Sequence, residues 1–227
     1  MLRLGTFAAA VAMAAMAWAA GDPSRYEKYG LEIVFPEKWI VGSGEAPLLL
    51  MSRSMDQVSL ANCVATGEDV AATRTMTQED LNQGLSQPFG EDFWKQVYAA
   101  SGLVAEVKSH GARAHKSGVM IQEAVFDLSK QGSAPDSKMS VHQAIFVRPG
   151  NTVVVACSAR AIAYPKQKSV LAGVIESVRF GAPSVPVAAA EEPVAVPVKD
   201  KAFAPDDAEK AASSAGRAGS ALIELSR

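Results

Sequence analysis

The chain has 227 residues, with 22 Lys and Arg against 24 Asp and Glu and a formal net charge of −2. Hydrophobic residues make up 48% of it, which is ample for a globular core. A balance so close to neutral, with no basic stripe, excludes the electrostatic footprint of a nucleic-acid binder.

The N-terminus reads as an export signal. Arg3 supplies the positive start, Phe7 to Ala17 is an apolar run built mostly of alanine, and Ala17-Trp18-Ala19 presents small residues where a signal peptidase inspects the chain. Residues 1–20 are expected to be removed by a cut after Ala19 or Ala20. The competing reading is a retained anchor, but the apolar run falls short of the roughly 20 residues a spanning helix needs. Gly21-Asp22-Pro23 then discourages helix continuation. No cysteine precedes Cys63, so a lipid-modified signal is disfavoured, and no later segment is long and apolar enough to span a bilayer. The expected mature chain is periplasmic or secreted, and the alanine-rich signal points to a bacterium.

Residues 29–35 alternate imperfectly, end at Pro36, and read as a strand. Extended structure resumes at Trp39-Ile40-Val41, and 47–53 and 57–66 read as two further strands around a turn at Ser54 to Asp56. The period then changes. Thr77 is a helix N-cap with Glu79 and Asp80 in the first turn, predicting a helix over 78–85. A second helix over 90–100 carries Phe93, Trp94, Val97 and Tyr98 on one stripe, which suits packing on a sheet.

Four extended segments follow, at 103–109, 118–128, 139–148 and 151–160. Pro149-Gly150-Asn151 is a tight turn, and Lys130 to Lys138 is a polar loop. Such short connections argue for antiparallel hairpins. Within the last strand Val153, Val155 and Cys157 share a face directed at the core. Residues 165–178 form an amphipathic helix, with Pro165 in the first turn and Val170, Leu171, Val174, Ile175 and Val178 at helical spacing. The fold class is therefore α+β, an antiparallel sheet with helices, in one domain of about 160 residues.

Composition shifts at Ala182. Residues 182–205 hold five prolines among Val, Ala, Lys and Glu, the make-up of an extended, disordered linker. Residues 206–227 could close with a weak helix, undermined by Gly216 and Gly219.

Two cysteines in an oxidising compartment point to one disulfide, Cys63–Cys157, across 94 positions. Closing such a loop would restrict the unfolded chain by about 4.5 kcal/mol in the chain-entropy account. Two buried free thiols or a reactive thiol are the alternatives, though no Cys-x-x-Cys occurs.

There is no Gly-x-Ser-x-Gly, no His-Glu-x-x-His and no glycine-rich phosphate loop, so neither a catalytic residue nor a cofactor is assigned. His110 and His115 flank Gly111 near an expected turn, with Glu106 and Glu123 on adjoining strands. As a metal site they lack a defined third and fourth ligand, and two solvated surface histidines are the simpler reading. His142 shares a strand face with Ser140, Ala144, Phe146 and Arg148, opposite the more apolar Met139, Val141, Ile145 and Val147. It reads as a partly buried, hydrogen-bonded histidine, with a ligand role only if a cleft opens there.

The run Tyr29-Gly30-Leu31-Glu32-Ile33-Val34-Phe35-Pro36-Glu37-Lys38-Trp39, a strand leading into Pro-x-x-Trp, resembles the opening of PsbP-like domains. The ending is similar as well, a hairpin and helix followed by Val178-Arg179-Phe180, like the family's terminal Ser-Phe-Arg-Phe element. The resemblance spans residues 26–180 by element order. It implies an α-β-α sandwich, an antiparallel sheet covered by helices. The family includes lumenal photosystem accessory proteins, periplasmic proteins and lipoproteins, in which binding and assembly roles dominate and no catalytic motif is shared. The expectation is an exported, non-catalytic binding or assembly-accessory protein with an envelope protein partner. A small-molecule or metal carrier and a periplasmic hydrolase without a recognisable motif are the alternatives.

Overall fold

The computed structural model describes residues 20–99, 101–130, 132, 134 and 137–181. The expected export signal up to Ala19, with Ala17, and the expected linker and terminal helix over 182–227 lie outside the described residues.

Seven strands form one antiparallel sheet, ordered β3-β4-β5-β9-β8-β7-β6. They are β3 (Ile40–Ser43), β4 (Leu48–Arg53), β5 (Asn62–Asp69), β6 (Leu103–Ala114), β7 (Met120–Lys130), β8 (Met139–Arg148) and β9 (Asn151–Arg160). A second sheet of three strands, ordered β1-β2-β10, consists of β1 (Ala20–Tyr26), β2 (Leu31–Pro36) and β10 (Arg179–Phe180). Helices α1 (Gln78–Gly84) and α2 (Glu91–Ala99) cover one face of the large sheet, while α3 (Tyr164–Ser177) and the small sheet cover the other.

The layers follow from side-chain alternation. On β9, Val153, Val155 and Cys157 point to the α3 side, while Val154 and Ala156 point to the α1–α2 side. Both faces of the central strands are thus buried, and β8 and β9 read as nearly continuous apolar runs. This corrects the expectation of one polar face on 139–148, because Phe146 beside His142 is fully covered. Trp94, Tyr98 and Phe126 fill the opposite core, in ring contacts at 6.4 Å and 4.9 Å. The two cores are joined through the sheet itself, whose centre carries the Cys63–Cys157 disulfide between directly opposed residues of β5 and β9.

Local chemistry sets the boundaries. Thr77 caps α1 with a reciprocal capping box to Asp80. The expected strand over 57–66 starts later, at Asn62, because Asp56 accepts hydrogen bonds from the backbone N–H groups of Val58 (2.9 Å) and Ser59 (3.3 Å) and folds the preceding residues into a turn. Likewise Glu27–Tyr29 form a 3-10 turn closed by Gly30 in the left-handed region, so β2 begins at Leu31 and not at Tyr29. The strand expected over 103–109 runs on to Ala114, past a bulge between Val107 and Ser109.

Strand β1 lies upstream of the expected domain start at residue 26. Ala20 pairs with Pro36, and Tyr26 with Leu31. At the other terminus Phe180 pairs with Leu31, and the Gly181 N–H donates to the carbonyl of Gly30.

Candidate functional site

Strand register places Arg113 of β6, Glu123 and Asp127 of β7, and Ser140 and His142 of β8 on the α3 side of the sheet. Helix α3 lies over β9, β2 and β8, leaving this face of β6 and β7 only partly covered. Polar side chains can therefore gather beside the helix without full desolvation.

They do so as a connected cluster. The Arg113 Nε donates to Glu123 Oε1 at 2.9 Å, and its terminal nitrogen bonds Glu176 on α3. His142 Nε2 stands 3.5 Å from Glu123 Oε2, a charge contact longer than a good hydrogen bond. His115 Nε2 lies 3.6 Å from Glu176 Oε2. The Ser117 backbone N–H donates to His115 Nδ1 at 3.1 Å, which leaves the neutral ring's proton on Nε2, the nitrogen that faces Glu176.

Electrostatics follow from that arrangement. The Glu123 carboxyl is held down at about 2, first by His142 and then by Arg113, against the opposing effect of burial. Burial lowers the pKa of His115, and the Glu176 charge only partly offsets it. A second group lies further along the same face, where Ser140 bonds Asp127 at 2.5 Å and Lys108 approaches Asp127 at 3.4 Å. Burial, with a smaller contribution from the Asp127 charge, pushes the Tyr164 hydroxyl up to about 12.

Of the residues that the sequence nominated, His115, Glu123 and His142 come together, whereas His110 and Glu106 do not join them. His110 is exposed on β6, on the α2 side, and Glu106 pairs with Lys108 (2.5 Å) and Lys138 (3.4 Å). The reading of His115 as a surface residue is corrected: its side chain is fully covered, edge-on to the Phe146 ring at 5.2 Å. Arg113 and Glu176 were missed. Arg113 sits diagonally across the β6–β7 hairpin from Glu123, a relationship that appears only once β6 is extended to Ala114. Among the described residues, no three His, Cys, Asp or Glu side chains are grouped so as to hold a metal ion.

No protein-family model and no curated sequence matches the chain. Among solved structures, the cyanobacterial PsbP protein CyanoP of Synechocystis sp. PCC 6803 aligns with a TM-score of 0.52 at 16% identity, covering 78% of this chain and 99% of that one. LpqN, described as involved in cell envelope biogenesis of Mycobacterium tuberculosis, aligns with a TM-score of 0.40 at 16% identity over 70% of this chain and 89% of that one. A protein of Bacteroides thetaiotaomicron aligns with a TM-score of 0.38 at 10% identity over 67% and 45%. The fold is PsbP-like: an antiparallel sheet between helical layers, as the two ends of the sequence implied.

Proposed function

We propose that this protein is an exported, non-catalytic binding or assembly-accessory protein of the bacterial cell envelope. The Cys63–Cys157 disulfide suits an oxidising compartment, in keeping with the signal-like N-terminus. No helix among the described residues is long and apolar enough to cross a membrane.

The observation that carries the non-catalytic reading is that both acids of the cluster are engaged by basic side chains. Arg113 and His142 both engage Glu123, and Arg113 with His115 engages Glu176. A general base works best with a pKa near the operating pH, and a carboxylate held at about 2 is far too weak. The cluster's role is then to lock α3 onto β6, β7 and β8.

Contact with an envelope protein falls to the surface and to the proline-rich tail, which tethers residues 206–227 at raised effective concentration. Affinity purification from the native envelope, with the intact mature chain and with one lacking residues 182–227, tests this. A specific co-purifying protein that is lost with the truncation is expected. A partnerless protein in both forms would overturn the assembly role.

A further inference from the structure

Large exposed aliphatic side chains gather at one end of the seven-stranded sheet. Ile162, after β9, is 88% exposed; Val58 and Met55, in the β4–β5 loop, are 71% and 65% exposed; Ile40 and Val41 begin β3. Register brings them together. Ile40 pairs with Arg53, the last residue of β4, and the Arg160 N–H, at the end of β9, donates to the Ser59 carbonyl in the β4–β5 loop at 2.8 Å. Strands β3, β4, β5 and β9 are consecutive neighbours, so the tips span roughly 15 Å. Val104, near the start of β6, is exposed at the same end on the far edge of the sheet.

Basic side chains surround these tips. Lys38, Arg53, Arg160 and Lys166 are all exposed there, and Arg53, Arg160 and Lys166 form no ion pair with any described residue. Asp56, in the same loop, is turned back onto the N–H groups of Val58 and Ser59. Helix α3 starts two residues after Ile162 with no acid in its first turn, so the positive end of its dipole faces the same way. Ala20 leaves the fold here too, opposite Pro36 and just before the turn into Ile40, so the apolar run Phe7 to Ala17 connects to the chain at this end.

We propose that this end of the sheet docks on an anionic phospholipid surface, with Met55, Val58 and Ile162 entering the interface and Arg53, Arg160 and Lys166 meeting the headgroups. The tips are separate aliphatic side chains on loop crests, and none is aromatic, whereas protein hot spots favour Trp, Tyr and Arg in packed pockets. Aliphatic insertion combined with basic flanks is the chemistry of interfacial membrane binding. This inference rests on the export reading above but not on a protein partner, and a test with purified lipid separates the two.

The experiment is co-sedimentation of the chain from Ala20 to Arg227 with vesicles of phosphatidylglycerol and phosphatidylethanolamine, against vesicles of phosphatidylcholine alone. Binding to the anionic vesicles, weakened by salt, is expected. Val58→Asp with Ile162→Asp should abolish it, and Arg53→Gln with Arg160→Gln should weaken it about fivefold per residue. All four positions are exposed, and an unchanged melting temperature would show that the variants fold. Failure to bind either vesicle, equal binding to both, or wild-type binding by the Val58–Ile162 variant would overturn the proposal. So would a photo-crosslinker at position 162 that captures an acidic protein, and no lipid, in the native envelope.

Discussion

The carboxylate of Glu123 on β7 faces the imidazole of His142 on β8 at 3.5 Å while holding Arg113 of β6 on its other oxygen, so a single acid joins three neighbouring strands. Its folded pKa of about 2 lies below the ordinary 4.5. Stability from this group is therefore complete above about pH 4.5 and is lost as the pH falls towards 2. Glu123→Gln should lower stability at pH 7 by on the order of 2 kcal/mol, allowing for partial solvent screening, and should flatten the acid limb below pH 4.5. Melting temperature against pH for the two proteins checks this.

His115 should produce an earlier step in the same profile. Its folded pKa is depressed by burial below the ordinary 6.5. The unfolded chain takes up the proton first, so this contribution is complete above about pH 6.5 and declines as the solution is acidified through that value. His115→Asn keeps an acceptor for the Ser117 N–H and should remove the step that begins as the pH falls below about 6.5, while leaving the lower one in place. Persistence of the upper step in the variant would assign it to another group.

Gly67 is a packing requirement. A Cβ there would lie 2.8 Å from Leu49 Cδ1 and 2.9 Å from Tyr29 Cε2, both on buried side chains that cannot swing away. Gly67→Ala should cost about 1–3 kcal/mol by overpacking, measured by urea denaturation with the slope unchanged. A variant as stable as the parent would show that the Leu49 and Tyr29 side chains can shift to make room.

The disulfide should resist reductant as long as the fold is intact, because both sulfur-bearing residues are fully buried. Thiol trapping under native conditions should show reduction no faster than opening of the β5–β9 pair, and addition of urea should accelerate it steeply. Once the bond is broken, the midpoint should fall by an amount equivalent to about 4.5 kcal/mol, given the 94-residue separation.

Trp94 anchors α2 to the sheet, with its ring against Phe93 at 5.2 Å and Phe126 at 6.4 Å. Trp94→Ala should cost about 3–5 kcal/mol by urea denaturation and weaken the near-ultraviolet dichroism while the far-ultraviolet signal is kept.

Much of this architecture was legible where a strong local signal agreed with the tertiary pairing. Strands β8 and β9 run over 139–148 and 151–160 as read, because Pro149-Gly150 leaves one geometry for the hairpin. Helix α3 and the Thr77 cap were equally plain. Strand β1 was hidden behind Asp22 and Pro23, which suit an edge strand that need not donate on its outer side. The extension of β6 was concealed by Lys108, Ser109 and His110, where the bulge interrupts alternation. The burial of His115 was not legible at all. Its neighbours Lys116, Ser117 and Gly118 read as solvent-facing, and only the arrival of Phe146 and α3 from distant sequence covers the ring. The cluster thus needed Glu176, contributed by an element 53 residues after Glu123, before it could be assembled.

Strand β2 links Ala20 and Gly181 in a particular way. The first pairs at Pro36 and the second bonds at Gly30, so the chain enters at one tip of that strand and leaves at the other. Six residues of extended backbone separate the two points by roughly 17–20 Å. The described fold therefore sets its first and last residues apart by the length of β2, so residues 182–227 continue from the side remote from Ala20.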